Sequence, residues 1–326
     1  MKSIFFRSIL ILLFITSILI TYLSVFGFET SKFNSEISKQ IKNLNKDLEI
    51  DLKKIKIVLN LFEFKFYAKT INPTIRYRNK IIEIDRVKTQ ISINSLYKNE
   101  FLLDNLVVST KSLEIKNFIS FTRAFRNDPK LYILEKLIEN GYLIADFKVE
   151  FDKNGKIKKN YNIKGFIKDL KVSIFAKYDI SNLNFNFKLN HNKYIFTEIK
   201  SSLNTIPISS DEIIIKKKDK KYIVSGNLSN NKIDLKKKEI KLLLKPYFKK
   251  LNIEKISLES KNKFSFNIGK KFTINDLSIS SEMKLINLLI LSNLKLDKFL
   301  PNFDNKINLF DQIIKVNYSK KKLSIN

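Results

Sequence analysis

The sequence predicts a mainly β protein held behind one amino-terminal membrane helix. Three observations predict it: a long uncharged run near the amino terminus, apolar residues at every second position through most of the remaining chain, and an Asn154-Gly155 hairpin signal between two such runs.

The uncharged run is SILILLFITSILITYLSVFGF, the 21 residues 8–28 between Arg7 and Glu29. At about 1.5 Å per residue it spans a hydrocarbon core of about 30 Å. Cleavable signal peptides carry a shorter apolar stretch and a small-x-small site, and no such site follows here, so residues 1–28 are expected to remain as an anchor. Lys2 and Arg7 precede the helix while Lys32, Lys39, Lys42 and Lys46 follow it, so counting basic residues does not choose an orientation.

After the anchor, Phe33, Ile37, Ile41, Leu44 and Leu48 recur at spacings of three and four, which predicts a helix with one core-facing side. The period then becomes two. Ile55, Ile57, Leu59 and Leu61 alternate with mostly polar neighbours, and Phe62, Phe64 and Phe66 continue on the other parity, as a bulge or bend in one long strand would require. Further alternations are Ile91 and Ile93; Leu106 and Val108; Leu143 to Phe151; Leu170 to Ile174; Leu183 to Leu189; Phe264 to Ile268; Leu277 and Ile279; Leu294 and Leu296. Two helices interrupt them. Asp128-Pro129 is an N-cap and first-turn pair for a run through Leu131, Leu134 and Ile138 that Gly141 would end, and a second run covers Glu239 to Leu251, kinked or shortened by Pro246.

About a dozen amphipathic strands each present an apolar face, and about three helices cannot cover them all. The sheet must fold onto itself as a sandwich or barrel, or leave an apolar trough for a ligand. Pattern alone leaves both open.

Composition narrows the function. The net charge is +29, but Lys runs through every segment instead of clustering with Arg and aromatics, which points to a solvated face or an anionic membrane surface rather than nucleic acid. Six glycines and no cysteine leave no phosphate-binding Gly-rich loop, thiolate nucleophile or sulfur-ligated metal. The single histidine, His191, sits after a strand in KLNHNKY and reads as a turn residue. Without a Ser-centred elbow, a P-loop or an HExxH spacing, no enzyme and no cofactor is expected.

The segment IEIDRVKTQISINSLYKNEFLLDNLVVSTKSLEIKNF, Ile82 to Phe118, resembles the amino-terminal region of AsmA-like proteins, the group that includes TamB and YhdP. The matching positions are Leu96 and Tyr97, Glu100, Leu106 to Val108, and Leu113 to Ile115. The resemblance implies a bacterial inner-membrane anchor with a cytoplasmic amino terminus and a periplasmic body. That body would be an elongated, taco-like antiparallel β groove with a few short helices, passing phospholipid towards the outer membrane. The implied organisation is an anchor over 1–28, an AsmA-like α+β region over 29–140 and a repeating β-groove region over 141–326. The chain is short for that family and reads as strand up to Lys320–Asn326, so a fragment or shortened version is also expected.

The candidate lipid-groove residues are Phe147, Val149, Phe151, Phe185, Phe187 and Leu189. Acyl chains need continuous apolar surface and no hydrogen-bond partners. Charged residues such as Asp146, Lys148 and Lys188 occupy the other parity, so Phe147, Phe151, Phe185 and Phe187 are expected to point into one shared concave surface. Ordinary core packing is the competing role. The expected partners are phospholipid acyl chains, the inner membrane and envelope proteins; the alternative function is envelope assembly through pairing at β edges.

Overall fold

The computed structural model describes residues 2–31, 34–44, 46–63, 65–91, 103–125, 128–152, 158, 160–174, 178–219, 221–244, 252–269, 273–291, 305–319 and 321–326. The chain is mainly β, with eighteen strands in one antiparallel sheet and five helices among the described residues. It divides into two compact units, Met1–Ile167 with Lys188–His191, and Lys168–Phe187 with Asn192–Asn326.

The first unit begins with α1 (Lys2–Val25), of which Ile4–Val25, 22 residues, is long and apolar enough to cross a membrane. Ser8, Thr16 and Thr21 return their hydroxyls to the carbonyls four residues back, so these polar groups are satisfied within the helix. The helix ends where the amides of Phe26 and Gly27 donate to Tyr22 O at 2.8 and 3.0 Å. Gly27, at φ +65°, closes the turn as a left-handed cap.

The next elements are β1 (Phe28–Thr30), α2 (Asn34–Leu44), β2 (Leu48–Asp51), β3 (Ile55–Asn60), β4 (Lys65–Ile71), β5 (Thr74–Tyr77), β6 (Lys80–Ile91), β7 (Leu103–Thr110), β8 (Leu113–Glu114), α3 (Ile115–Phe125), α4 (Pro129–Leu137) and β9 (Ile138–Glu150). β1, β3, β4, β6, β7 and β9 pair in that order. The start of β6 also pairs with β5, and β5 with β2, so β6 serves both branches. On one face the registers align Ile55, Thr70, Val87, Val108 and Phe147 in a row. The next row is Ile57, Ala68, Thr89, Leu106 and Val149. This is the core face, on which Ile57 is fully buried. Ile37 of α2 packs on one part of it, and Phe118 and Phe121 of α3 on another.

Three expectations change here. The parity switch at Leu61 is not a bulge within one strand but a turn between β3 and β4: Asn60 Oδ1 accepts the amides of Phe62 and Glu63, which reverses the chain. Leu48 lies in β2 and not in the preceding helix. Gly141 does not end α4. Asp128 does cap its start, accepting the Lys130 amide with Pro129 in the first turn, but the chain passes straight into β9 at Ile138, which is extended, and Gly141 lies within that strand.

β10 (Asn162–Ile174) and β11 (Tyr178–Asn190) contain the borders between the units. The second unit holds β12 (Lys193–Leu203), β13 (Ile206–Lys218), β14 (Lys221–Lys236), α5 (Lys237–Leu244), β15 (Asn252–Ile268), β16 (Ile274–Leu291), β17 (Lys306–Ser319) and β18 (Lys322–Ile325). β12 to β18 form a meander in which each strand pairs antiparallel with the next. Asn154-Gly155, Ile93, Leu96, Tyr97, Glu100, Leu294, Leu296 and Pro246 lie outside the described residues.

Candidate functional site: an apolar sheet face

The registers of the second unit place Phe196, Ile213, Gly226, Phe264, Ile279, Tyr318 and Leu323 directly opposite one another across β12 to β18. Residues opposite in a ladder share a face, so these seven form one apolar row. Tyr194, Ile215, Val224 and Phe266 form the next row on that face. Phe264 and Phe266 stack with centroids 6.0 Å apart. The reverse face carries rows such as Asn227, Lys263, Ser280 and Asn317, and Ser229, Lys261, Glu282 and Lys315. The sheet is therefore amphipathic as a whole and not merely strand by strand.

Gly226 has a packing reason. A Cβ there would lie 2.9 Å from Ile213 Cγ1 and 2.8 Å from Glu212 O, so the missing side chain lets Ile213 lean across β14.

One end of the face is covered. Ile240 of α5 is buried against Ile206, Ile233, Leu235, Ile256 and Leu285. Between this cluster and the phenylalanine row runs a polar belt: Ser281 donates to Asn262 at 2.6 Å, Asn262 donates to Leu228 O and Ser260, and Ser260 donates to Asn230. α5 is the one helix among the described residues of this unit, and it lies on the far side of the belt. Phe196, Ile213, Phe264 and Ile279 are half-buried.

The face is shaped by irregularities with a common chemistry. Asp169, Glu198 and Asp276 sit at φ between 51 and 54° inside strands, and each is hydrogen-bonded by an asparagine: Asp169 N to Asn184 Oδ1, Asn186 Nδ2 to Glu198, and Asn267 Nδ2 to Asp276. At Asp276 the left-handed residue falls in a register shift between β15 and β16, a bulge that adds twist locally.

Of the residues expected to line a groove, Phe185 and Phe187 lie in the second unit, their rings 6.3 Å apart, with Phe185 also 5.7 Å from Phe196. Phe187 is buried. Phe147, Val149 and Phe151 belong to the first unit, as does Leu189. Phe147 and Val149 end the two core rows there, and Phe147 packs on Phe118 of α3 at 5.9 Å. Phe151 and Leu189 are half-buried. His191 lies in the bend between β11 and β12, edge-on to Tyr161 at 6.5 Å. Phe264 and Ile279 recur with period two in the sequence, but only the pairing register shows that they join Phe196 and Ile213.

Displaced titrations occur on polar surfaces. Asn160 and nearby lysines hold the Glu150 carboxyl below its ordinary range, and Ser257 with Lys232 and Lys255 does so for Asp234. Among the described residues no group of His, Asp and Glu could hold a metal ion. No family model matches the chain, and no match is found among curated proteins or solved structures.

Proposed function

We propose that this chain is a single-pass, periplasmic lipid-binding and transfer protein of a bacterial inner membrane, serving lipid homeostasis of the outer membrane. In this reading the amino terminus is cytoplasmic and acyl chains lie against the row of Phe196, Ile213, Phe264 and Ile279, with Phe185 and Phe187 beside it. Each methylene removed from water contributes about 0.8 kcal/mol, so an apolar row retains a lipid without any polar grip and lets it slide. No covalent step is involved. The observation that carries the reading is an apolar row of seven residues whose described helix lies to one side of it, beyond a polar belt. The likeness of Ile82 to Phe118 to AsmA-like proteins points the same way.

The test is photo-crosslinking. A phospholipid with a diazirine in its acyl chain, added to the full chain in membranes, should label peptides containing Phe196 or Phe264. Labelling restricted to α1 would count against a lipid surface on the sheet.

A second reading, envelope assembly through β-edge pairing, is favoured by β17. Its residues Lys306–Ile314 extend past the four residues of β17 that pair with β18, and Leu309, Phe310 and Ile313 are 41, 54 and 61% exposed. An exposed apolar edge is a template for another strand.

A further inference from the structure

The register of β1 on β3 turns the chain back alongside the end of the membrane helix. Phe28 pairs with Ile57, and β3 continues from there to Asn60 in the direction opposite to β1. At about 3.3 Å per residue, the β3–β4 turn lies roughly 13 Å beyond that pair. Ser24 in the last turn of α1 lines one cleft together with Leu61 and Phe62 of that turn. Phe62 is 100% exposed. A fully exposed phenylalanine at a turn tip, level with the last turns of an apolar helix, has an obvious solvent in the bilayer.

The sheet face beside the tip is cationic in an unusual way. Lys56, Lys69 and Lys88 are directly opposite one another on β3, β4 and β6. Glu29 of β1 stands opposite Lys56 at one end of the row, which leaves Lys69 and Lys88 as the opposed like charges; these repel and disfavour the sheet unless an anion lies between them. Lys69, Lys88 and Arg86 line the same cleft of about 420 Å³ as Ser24 and Phe62. The acidic groups nearby are engaged: Glu29 with Lys54 at 3.3 Å, Asp85 with Arg86 at 2.8 Å, and Glu63 with the Tyr67 hydroxyl. The hydrogen bond to the Glu63 carboxylate, with burial, pushes the pKa of the Tyr67 hydroxyl up to about 12. Lys88 Nζ stands 3.9 Å from the Tyr67 ring centre.

We propose that the β3–β4 turn and the cationic row beside it form a second membrane contact, in which Phe62 enters the bilayer that α1 crosses while Lys69 and Lys88 hold the phosphates of anionic phospholipids. The contact fixes the first unit against the leaflet from which α1 emerges. It rests on α1 spanning the membrane and is independent of whether the sheet of the second unit carries lipid.

The chain has no tryptophan, so one introduced tryptophan reports alone. The full chain carrying Phe62→Trp is placed in phosphatidylcholine–phosphatidylglycerol vesicles with bromine-labelled acyl chains, beside Phe14→Trp in the middle of α1 and Tyr132→Trp on α4. Bromolipid should quench Phe14→Trp and Phe62→Trp and leave Tyr132→Trp untouched. Quenching of Phe14→Trp without Phe62→Trp overturns the proposal while α1 stands as an anchor; quenching of neither overturns both. In a second arm, mass spectrometry of the lipid patch extracted with the protein should show phosphatidylglycerol enriched several-fold over bulk. Lys69→Glu with Lys88→Glu should return it to the bulk ratio, and Lys216→Glu with Lys261→Glu should not. An unchanged enrichment in the first pair overturns the proposal, as does its removal by inorganic phosphate at constant ionic strength, which would make the cleft a phosphate site.

Discussion

Asn227 on β14 holds Asp211 on β13 through two reciprocal hydrogen bonds: its side-chain oxygen accepts the Asp211 amide at 2.9 Å and its amide donates to Asp211 Oδ2 at 2.9 Å. The pair sits in the register shift between Ser209 and Ile213, where β13 carries one residue more than β14. Without it the bulge would leave backbone polar groups without a partner. Asn227→Ala should therefore destabilise the second unit by about 1–2 kcal/mol, read as a shift in the denaturation midpoint. An equal effect from Asn317→Ala, whose side chain accepts from Ser280 on the polar face, would mean that the bulge is not what Asn227 serves.

Gly27 joins helix to sheet. A Cβ there would lie 2.2 Å from Ile57 O, and its φ of +65° is already unfavourable for other residues. Gly27→Ala should cost about 1–3 kcal/mol and open the β1–β3 junction, seen as faster amide exchange at Ile57 and Val58. Exchange at Ile279 in the other unit should not change.

The core face of the first unit rests on Ile57, which is fully buried. Ile57→Ala should cost about 2–5 kcal/mol by thermal melting. Tyr132→Ala, on the exposed side of α4, loses only the contacts of Arg123 and Lys136 with its ring and should cost about 0.5–1 kcal/mol.

Much of this architecture could be read from the sequence, because a period of two and a long uncharged run are local signals. Leu143 to Val149 and Phe185 to Leu189 fall in β9 and β11 as their alternation requires, and Asp128-Pro129 starts a helix. What failed were the joints. Asn60 ends β3 through its own side chain, and a parity switch cannot separate that turn from a bulge. The rows were not legible at all. Lys56, Lys69 and Lys88 are far apart in sequence and look like ordinary surface lysines until the register sets them side by side, and the same holds for Phe196, Gly226 and Phe264. The asparagines that brace bulges likewise read as plain polar residues, since their partners lie on the next strand.

The most direct test of a lipid-bearing sheet is Phe185→Glu, measured in the full chain by mass spectrometry of bound lipid together with thermal melting. Phe185 lies between Phe187 and Phe196 on the apolar face. If that face is an open lipid surface, the carboxylate still reaches water, so bound lipid should fall to the level retained by α1 alone while the melting temperature drops by only a few degrees. If the face is a closed core, the same change buries an unpaired charge at a cost of several kcal/mol, against a total stability of roughly 5–15 kcal/mol. Loss of folding, or full retention of lipid by a folded variant, would contradict lipid binding by the sheet.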